Sequence, residues 1–306
     1  MPESAATGCV AAVGTFDGVH AGHRALIDDV CRIAAREHLE AAVVTFSRHP
    51  LTVLRPQRVP SSLAVAPLKE RLLAEAGITR VIRLDFTPQL AALTAEEFMR
   101  ILHERYGVRH LVIGFNTSMG SDRLTDLHEF QRAGGRVGMK VSQASEFKLD
   151  GFEGTVCSTA VRHLVTAGDV EAAARLLLRP YELRGRVVHG RQLGRTIGFP
   201  TANLEPEPAR QSIPAPGVYA CRADAEGIGT FDAIVNIGSR PTVESDGALT
   251  IEAHLLDADA DLYGGIVTLS FRKRLRDERR FDSLDALRTQ LAADADAARR
   301  ALAGEE

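Results

Sequence analysis

The sequence predicts an α/β domain with a doubly wound parallel sheet, followed by a small antiparallel β-barrel and a C-terminal helix. Two observations predict it. Through the first 180 residues, short apolar runs alternate with segments whose apolar residues recur at helical spacing, the pattern of a parallel sheet covered by helices. After that the period changes. Five short strand-like runs follow one another with only turn-rich stretches between them, which suits a compact barrel. Arg179-Pro180 ends the last helical pattern of the first half, because proline removes a donor and clashes with the preceding turn. The domains are therefore drawn at residues 1–180 and 181–306.

Taken in order, Cys9 to Val13 is an apolar run that suits a buried strand. Gly14 to Gly22 supplies three glycines and no proline, so the backbone can turn tightly and approach a ligand closely. From His23 onward Leu26, Ile27, Val30, Ile33 and Ala34 form a helical stripe. Strand, glycine loop and helix N-terminus together make an anion site, since unpaired N–H groups and the positive end of the helix dipole face the loop. Ala41–Phe46 is a second strand, and Ser47 to Pro60 is a loop holding His49 and Pro50. A helix over Leu68–Ala76 ends at Gly77. Val81–Leu84 is a third strand. Thr94 and Glu97 form a capping box for the next helix. His110–Gly114 is a fourth strand, Asp126–Ala133 a helix and Met139–Val141 a fifth strand. Ligands of such sheets bind at the carboxyl ends of the strands, where the Gly14–His23 loop is expected. Ser158 or Thr159 is placed to cap the following helix, and Asp169–Leu178 is helical again. The second half reads as strands at Leu183–His189, Gly217–Ala223, Phe231–Ile237, Ile251–Leu256 and Ile266–Phe271. A helix over Ser283–Leu302 follows, with Leu284, Leu287, Leu291 and Ala298 as its buried stripe.

The chain has 306 residues, enough for two domains. Hydrophobic residues make up 45% and charged residues 25%, with a net charge of −3. That is a globular composition with no strong attraction to nucleic acid or anionic membrane. Neither a signal peptide nor an apolar run of membrane-spanning length is expected. Cys9, Cys31, Cys157 and Cys221 are scattered without Cys-x-x-Cys spacing. They fit reduced thiols of a cytoplasmic protein rather than a disulfide framework.

The chemistry begins with His20 and His23. Three apart at a helix start, they share a face and can stabilise charge building on a phosphate during transfer. A packing or surface pair and a zinc pair are the other readings of His-x-x-His. Zinc needs further ligands, and no cysteine or carboxylate cluster lies close in sequence. No Gly-Lys-Ser/Thr follows the loop, so it is not a P-loop.

Gly14-Thr-Phe-Asp-Gly-Val-His-Ala-Gly-His23 resembles the nucleotidyltransferase signature of the His-x-Gly-His superfamily, and with its flanks the chain is similar to the bifunctional bacterial riboflavin kinase/FAD synthetases. Val156-Cys-Ser-Thr-Ala-Val-Arg162 resembles that family's Ser-Ser-Thr-x-x-Arg, with Cys157 in place of the first serine. Gly194-Arg-Thr-Ile-Gly-Phe-Pro-Thr-Ala-Asn203 resembles its Gly-x-Pro-Thr-Ala-Asn. Pro216–Tyr219, Val235–Thr242, Ile251–Asp257, Asp261–Gly264 and Leu275–Phe281 recur in the family's order.

The resemblance implies an enzyme that phosphorylates riboflavin with ATP to FMN. It would then transfer a nucleotidyl group, AMP first among them, from a nucleoside triphosphate to FMN, giving FAD. It implies His20, His23 and Arg162 as catalytic residues of the transfer and Glu252 as the kinase base. Nucleotide binding falls to Gly14, Phe16, Asp17, Gly22, Ser158, Thr159, Gly194, Thr196 and Gly198. Flavin binding falls to His49, Pro50, Asn116 and Arg276. Thr201 and Asn203 offer neutral oxygens for Mg²⁺, too few to hold it without the ATP phosphates.

The first domain departs from the family pattern in two stretches. Phe115 stands for an acid, and Thr117 and Met119 for two phenylalanines; Ser47 and Arg48 also differ. A second reading is therefore a riboflavin kinase whose altered first domain is weakly active or takes another nucleotide or flavin, CTP for example. A third, of another class, is a non-catalytic flavin-binding regulatory module. Glu252, Thr201 and Asn203 argue against it.

Overall fold

The structure is a computed structural model that describes residues 8–189, 199–239, 249–258 and 261–303. It parts into two compact units. One comprises Met1–Pro60 with Ala66–Val156, the other Ser61–Val65 with Cys157–Glu306.

In the first unit five strands, β1 (Cys9–Val13), β2 (Glu40–Phe46), β3 (Arg80–Leu84), β4 (Val108–Ile113) and β5 (Lys140–Gln143), form one sheet in the order β3-β2-β1-β4-β5. Every pairing is parallel. Residues 9–12 of β1 and 41–45 of β2 are buried throughout, which is why both read as unbroken apolar runs rather than alternations. The connecting helices are α1 (Ala21–Glu37), α2 (Leu51–Leu54), α3 (Ala66–Glu75), α4 (Pro88–Ala92), α5 (Ala95–Tyr106) and α6 (Leu127–Arg136), with a 3₁₀ turn at Pro56–Arg58. Helix α1 buries Ile27, Val30, Ile33 and Ala34, the expected stripe without Leu26. The Thr94–Glu97 capping box is formed in both directions. Phe98, Met99 and Leu102 of α5 and Phe130 of α6 pack with Leu111 and Ile113 of β4 in one apolar cluster. The short α2 and α4 and the 3₁₀ turn span too few residues to display an apolar period, so the pattern gave no sign of them. Chain connectivity reverses across the sheet at β1 and β4, the switch point at which such sheets bind ligands.

The second unit begins with α7 (Ser158–Ala167) and α8 (Val170–Leu177). The expected boundary at residue 180 lies downstream of the parting at Val156–Cys157. Ser61–Val65 joins this unit through Ser62 N–H to the Arg210 carbonyl at 2.7 Å and Ser212 N–H to the Ser62 carbonyl at 2.9 Å. Strands β6 (Tyr181–Val188), β7 (Ala202–Pro206), β8 (Gly217–Ala225), β9 (Gly229–Ser239), β10 (Leu249–Leu255) and β11 (Ile266–Arg276) close a barrel in the order β10-β7-β6-β11-β8-β9. All its pairings are antiparallel, and closure leaves no unpaired edge. Strand β7 lies in a turn-rich stretch of the sequence and shows no apolar alternation, because Leu204 alone of its five residues is buried.

The terminal helix α9 (Leu284–Leu302) is capped by Ser283 as its sequence suggests. Its buried stripe differs from the expected one. Asp294, Ala295, Ala298 and Leu302 are buried, while Leu284 is 67% exposed. The two alanines lie against Val218, Ala220 and Ile234 of β8 and β9, so the C-terminal half of the helix, not its first turns, covers the barrel.

Candidate active sites

The glycine loop of the first unit starts while still tied to the sheet, with Gly14 N–H donating to the Val44 carbonyl at 3.0 Å. Its path is then left-handed at Phe16 (φ 48°), Gly18 (φ 80°) and Val19 (φ 42°), a conformation that is costly for a β-branched valine. The Phe16 ring is fully buried, and a Cβ on Gly14 would touch it at 3.4 Å. His20 is the N-cap of α1, and its Nδ1 accepts the His23 N–H at 3.3 Å. That bond explains the three-residue spacing. It also places the proton of a neutral His20 ring on Nε2. The two imidazoles stack at 3.7 Å and 18°. A Cβ on Gly22 would lie 2.9 Å from the Val156 carbonyl, so only glycine lets the helix start this close to that segment. No acid occupies the first turn of α1.

The Nδ1 of His23 is buried without a protein partner. Burial first, then the charges of His20 and Lys69, hold its pKa well below the usual histidine value. The free site therefore presents His23 as a neutral imidazole at a helix N-terminus. Lys69, on α3, belongs to none of the sequence motifs. Its Nζ donates to the Thr15 carbonyl at 3.3 Å, which also accepts from the Thr45 hydroxyl at 3.3 Å. A lysine set within the apolar stripe of Leu68, Leu72 and Leu73 was the available signal, because lysine is rarely drawn into such a face without a partner.

Three expected flavin residues follow strands of the same parallel sheet, and so sit at its carboxyl edge with the glycine loop. His49 Nδ1 accepts the Leu51 N–H at 3.1 Å, Pro50 precedes α2 as its N-cap residue, and Asn116 is exposed after β4. The departures from the family pattern have different surroundings. Phe115 is 57% exposed, whereas Met119 is buried, bridged to Leu124 and packed in the α5–α6 cluster. The Ser47 hydroxyl bonds to Asp85.

In the second unit Cys157, not Ser158 or Thr159, is the N-cap of α7. Its backbone is extended (φ −145°, ψ 162°) and it makes no side-chain capping bond. Ser158 and Thr159 are the first two helical residues, which corrects the capping expected of them. Arg162, one turn on, donates from Nε to the Ser61 carbonyl at 2.7 Å.

Glu252 lies mid-strand on β10. In register it faces Asn203 of β7 on one side and Asn236 of β9 on the other. Ile251, Ala253 and Leu255 are buried, while Thr250, Glu252 and His254 are partly exposed; this alternation puts the carboxylate on the outer face of the barrel, in one row with two carboxamides. Thr201 directly precedes β7, whose Ala202 pairs with Ala253. The chain entering β7 is held by His254 Nδ1 on the Pro200 carbonyl at 2.7 Å and by Phe199 against the His254 ring at 5.2 Å. Gly194, Thr196 and Gly198 lie outside the described residues. A Cβ on Gly238 would run into the Glu278 carboxylate, so a second acid reaches the outer face beside the Thr250 row. Neither Asn236 nor Glu278 was singled out from the sequence. A cleft of about 540 Å³ opens nearby, lined in part by Phe199, His254, Asp257, Ala295 and Arg299, a size typical of small-molecule sites. Arg276 is engaged differently. Its guanidinium holds the buried Asp294 through Nε at 3.0 and 3.1 Å and Nη2 at 2.7 Å, fastening the end of β11 to α9.

Two family models match the chain in tandem, FAD synthetase over residues 3–160 and riboflavin kinase over residues 177–302. Curated relatives called bifunctional riboflavin kinase/FMN adenylyltransferase include one from Pseudomonas fluorescens, 42% identical over 95% of this chain and 92% of that protein. Another, from Escherichia coli K12, is 38% identical over 94% and 90%. A crystal structure described as a macrolide-efflux protein from Streptococcus pneumoniae is 32% identical, with a TM-score of 0.86 over 97% of this chain and 95% of that one. Among the described residues of the present chain no helix is long and apolar enough to cross a membrane.

Proposed function

The chain belongs to the family of bifunctional riboflavin kinases/FMN adenylyltransferases, and on that premise we propose which residues carry each half of the chemistry. The protein phosphorylates riboflavin with ATP to FMN, and it transfers AMP from ATP to FMN to give FAD and pyrophosphate.

For the kinase, Glu252 accepts the proton of the riboflavin 5′-hydroxyl as that oxygen attacks the γ-phosphate. The observation that carries this assignment is the register of Glu252 with Asn203 and Asn236, which orients a carboxylate between two uncharged partners. Thr201 and Asn203 are hard neutral oxygen donors and fit Mg²⁺ that arrives with nucleotide phosphates. When bound, the ion neutralises charge on the transferring phosphoryl group. Orientation of the hydroxyl and removal of its proton fall to the protein.

For adenylyl transfer, the Gly14–Gly22 backbone and the α1 N-terminus receive phosphate, and His20 and His23 donate to charge developing at the α-phosphate. Ser158, Thr159 and Arg162 are assigned to the triphosphate by their motif. The FMN phosphate attacks directly, so catalysis is positioning and charge neutralisation. Four free cysteines suit a reduced, cytoplasmic setting.

Product analysis tests the reading. Purified protein with riboflavin, Mg²⁺ and ATP should yield FMN and then FAD by mass, with CTP and GTP as poorer donors. Accumulation of FMN alone, or a CTP product, would favour the altered-first-domain reading that the exposed Phe115 and the cation at Arg48 keep open.

A further inference from the structure

Lys69 stands half-buried on α3, and its Nζ donates to the Thr15 carbonyl at 3.3 Å. Thr15 sits between Gly14 and the left-handed residues Phe16, Gly18 and Val19, so the bond grips the loop where its backbone is least relaxed. Burial penalises the ammonium and pushes its pKa down, while the Asp17 carboxylate on the same loop works against that. The charge also reaches His23, whose neighbours are the stacked His20 ring and the Phe16 ring at 5.1 Å. No acid in the first turn of α1 offsets it.

We infer that Lys69 is a positioning residue of the adenylyl-transfer site, fixing the glycine loop at Thr15 and supplying a positive charge that acts on His23 of the His20–His23 pair. The inference rests on assigning that pair to adenylyl transfer. In the reaction an FMN phosphate oxygen bonds to the α-phosphorus as the bond to the bridging oxygen breaks. The electron pair leaves on pyrophosphate, so negative charge moves onto the leaving group. A cation that is already in place lowers the cost of that movement. It also keeps His23 in its neutral form in the free site, with a ring N–H donor available.

The test compares Lys69→Met, Lys69→Arg and His20→Ala in the full chain, assaying FAD formation from FMN and ATP beside FMN formation from riboflavin. Removing one preorganised electrostatic contact typically costs about 100-fold or more; for a charge acting through the loop, Lys69→Met should lower adenylyl transfer by about 10- to 100-fold. Kinase activity, which reports folding, should be unchanged. Because kcat/KM follows ionisations of the free enzyme, its acid limb should move to higher pH in Lys69→Met, where His23 is relieved of a neighbouring cation. Lys69→Arg should restore both rate and limb. A Lys69→Met rate within twofold of wild type, an unmoved acid limb, or no rescue by arginine would each overturn the inference. If His20→Ala retains full adenylyl transfer, the site assignment itself has failed, which separates the two outcomes.

Discussion

At the scale of single residues, environment decides what each motif residue can do. Glu252 is an ordinary strand carboxylate until β7 and β9 bring Asn203 and Asn236 to either side of it. Glu252→Gln preserves the row and removes the base. General-base catalysis contributes ~100- to 10,000-fold, so FMN formation should fall by about that factor while riboflavin still binds, as flavin fluorescence titration would report. A near-normal rate would remove Glu252 from the role. His20, His23 and Glu252 are legible as candidates because the motif spells them in the primary sequence. Lys69 and Asn236 are not, since each acquires its meaning from a neighbour distant in the chain. The guanidinium of Arg276 is bonded to a buried aspartate on α9, a contact its motif does not spell. Met119 belongs to the core, so its departure from the family pattern bears on packing between α5 and α6, whereas Phe115 is solvent-facing.

Elements were legible to the extent that burial imposed a period on them. Strands β1 and β2, covered on both faces, and the amphipathic α1 and α5 declared themselves. Strand β7, which buries one leucine, did not, and α9 misled because Leu284 lies beyond the barrel. How α1 is held has a measurable consequence. Asp29 on α1 is 8% exposed; it accepts the Ser145 N–H at 2.6 Å and an Arg32 N–H at 2.5 Å. The helix that carries the histidines is thereby tied to the chain leaving β5. Burial works to raise the Asp29 pKa, but the bonds from Ser145 and Arg32 outweigh it and leave the pKa lowered. A carboxyl depressed on folding stabilises the native state above its unfolded pKa of about 4 and loses that contribution as pH falls through the folded value. Hydrogen bonds to charged groups contribute ~1.5–3 kcal/mol, so Asp29→Asn should destabilise the first unit by about that amount at pH 7. In urea unfolding the gap from wild type should shrink as pH drops below about 4, where the native carboxyl also loses its charge. An equal gap at both pH values would show that the charge is irrelevant.

At the scale of the whole molecule, the residues assigned to phosphoryl transfer, Glu252, Thr201 and Asn203, all lie in the barrel unit, whereas of those assigned to adenylyl transfer His20 and His23 belong to the sheet unit and Ser158, Thr159 and Arg162 to the unit that contains the barrel. Each unit has an apolar cluster of its own, so a side-chain change at one histidine leaves the barrel's packing as it was. FMN is the product of one reaction and the substrate of the other, and a freely released intermediate requires no second site on the same chain. His20→Ala should therefore convert riboflavin and ATP to FMN at the wild-type rate and stop there. Glu252→Gln should make FAD only when FMN is supplied. Mixed in equal amounts, the two variants should together produce FAD from riboflavin after a lag set by the build-up of free FMN. That lag should shorten as the concentration of His20→Ala is raised. If the mixture accumulates FMN without FAD, although Glu252→Gln uses added FMN at the same concentration, FMN must pass from one reaction to the other without leaving a single chain.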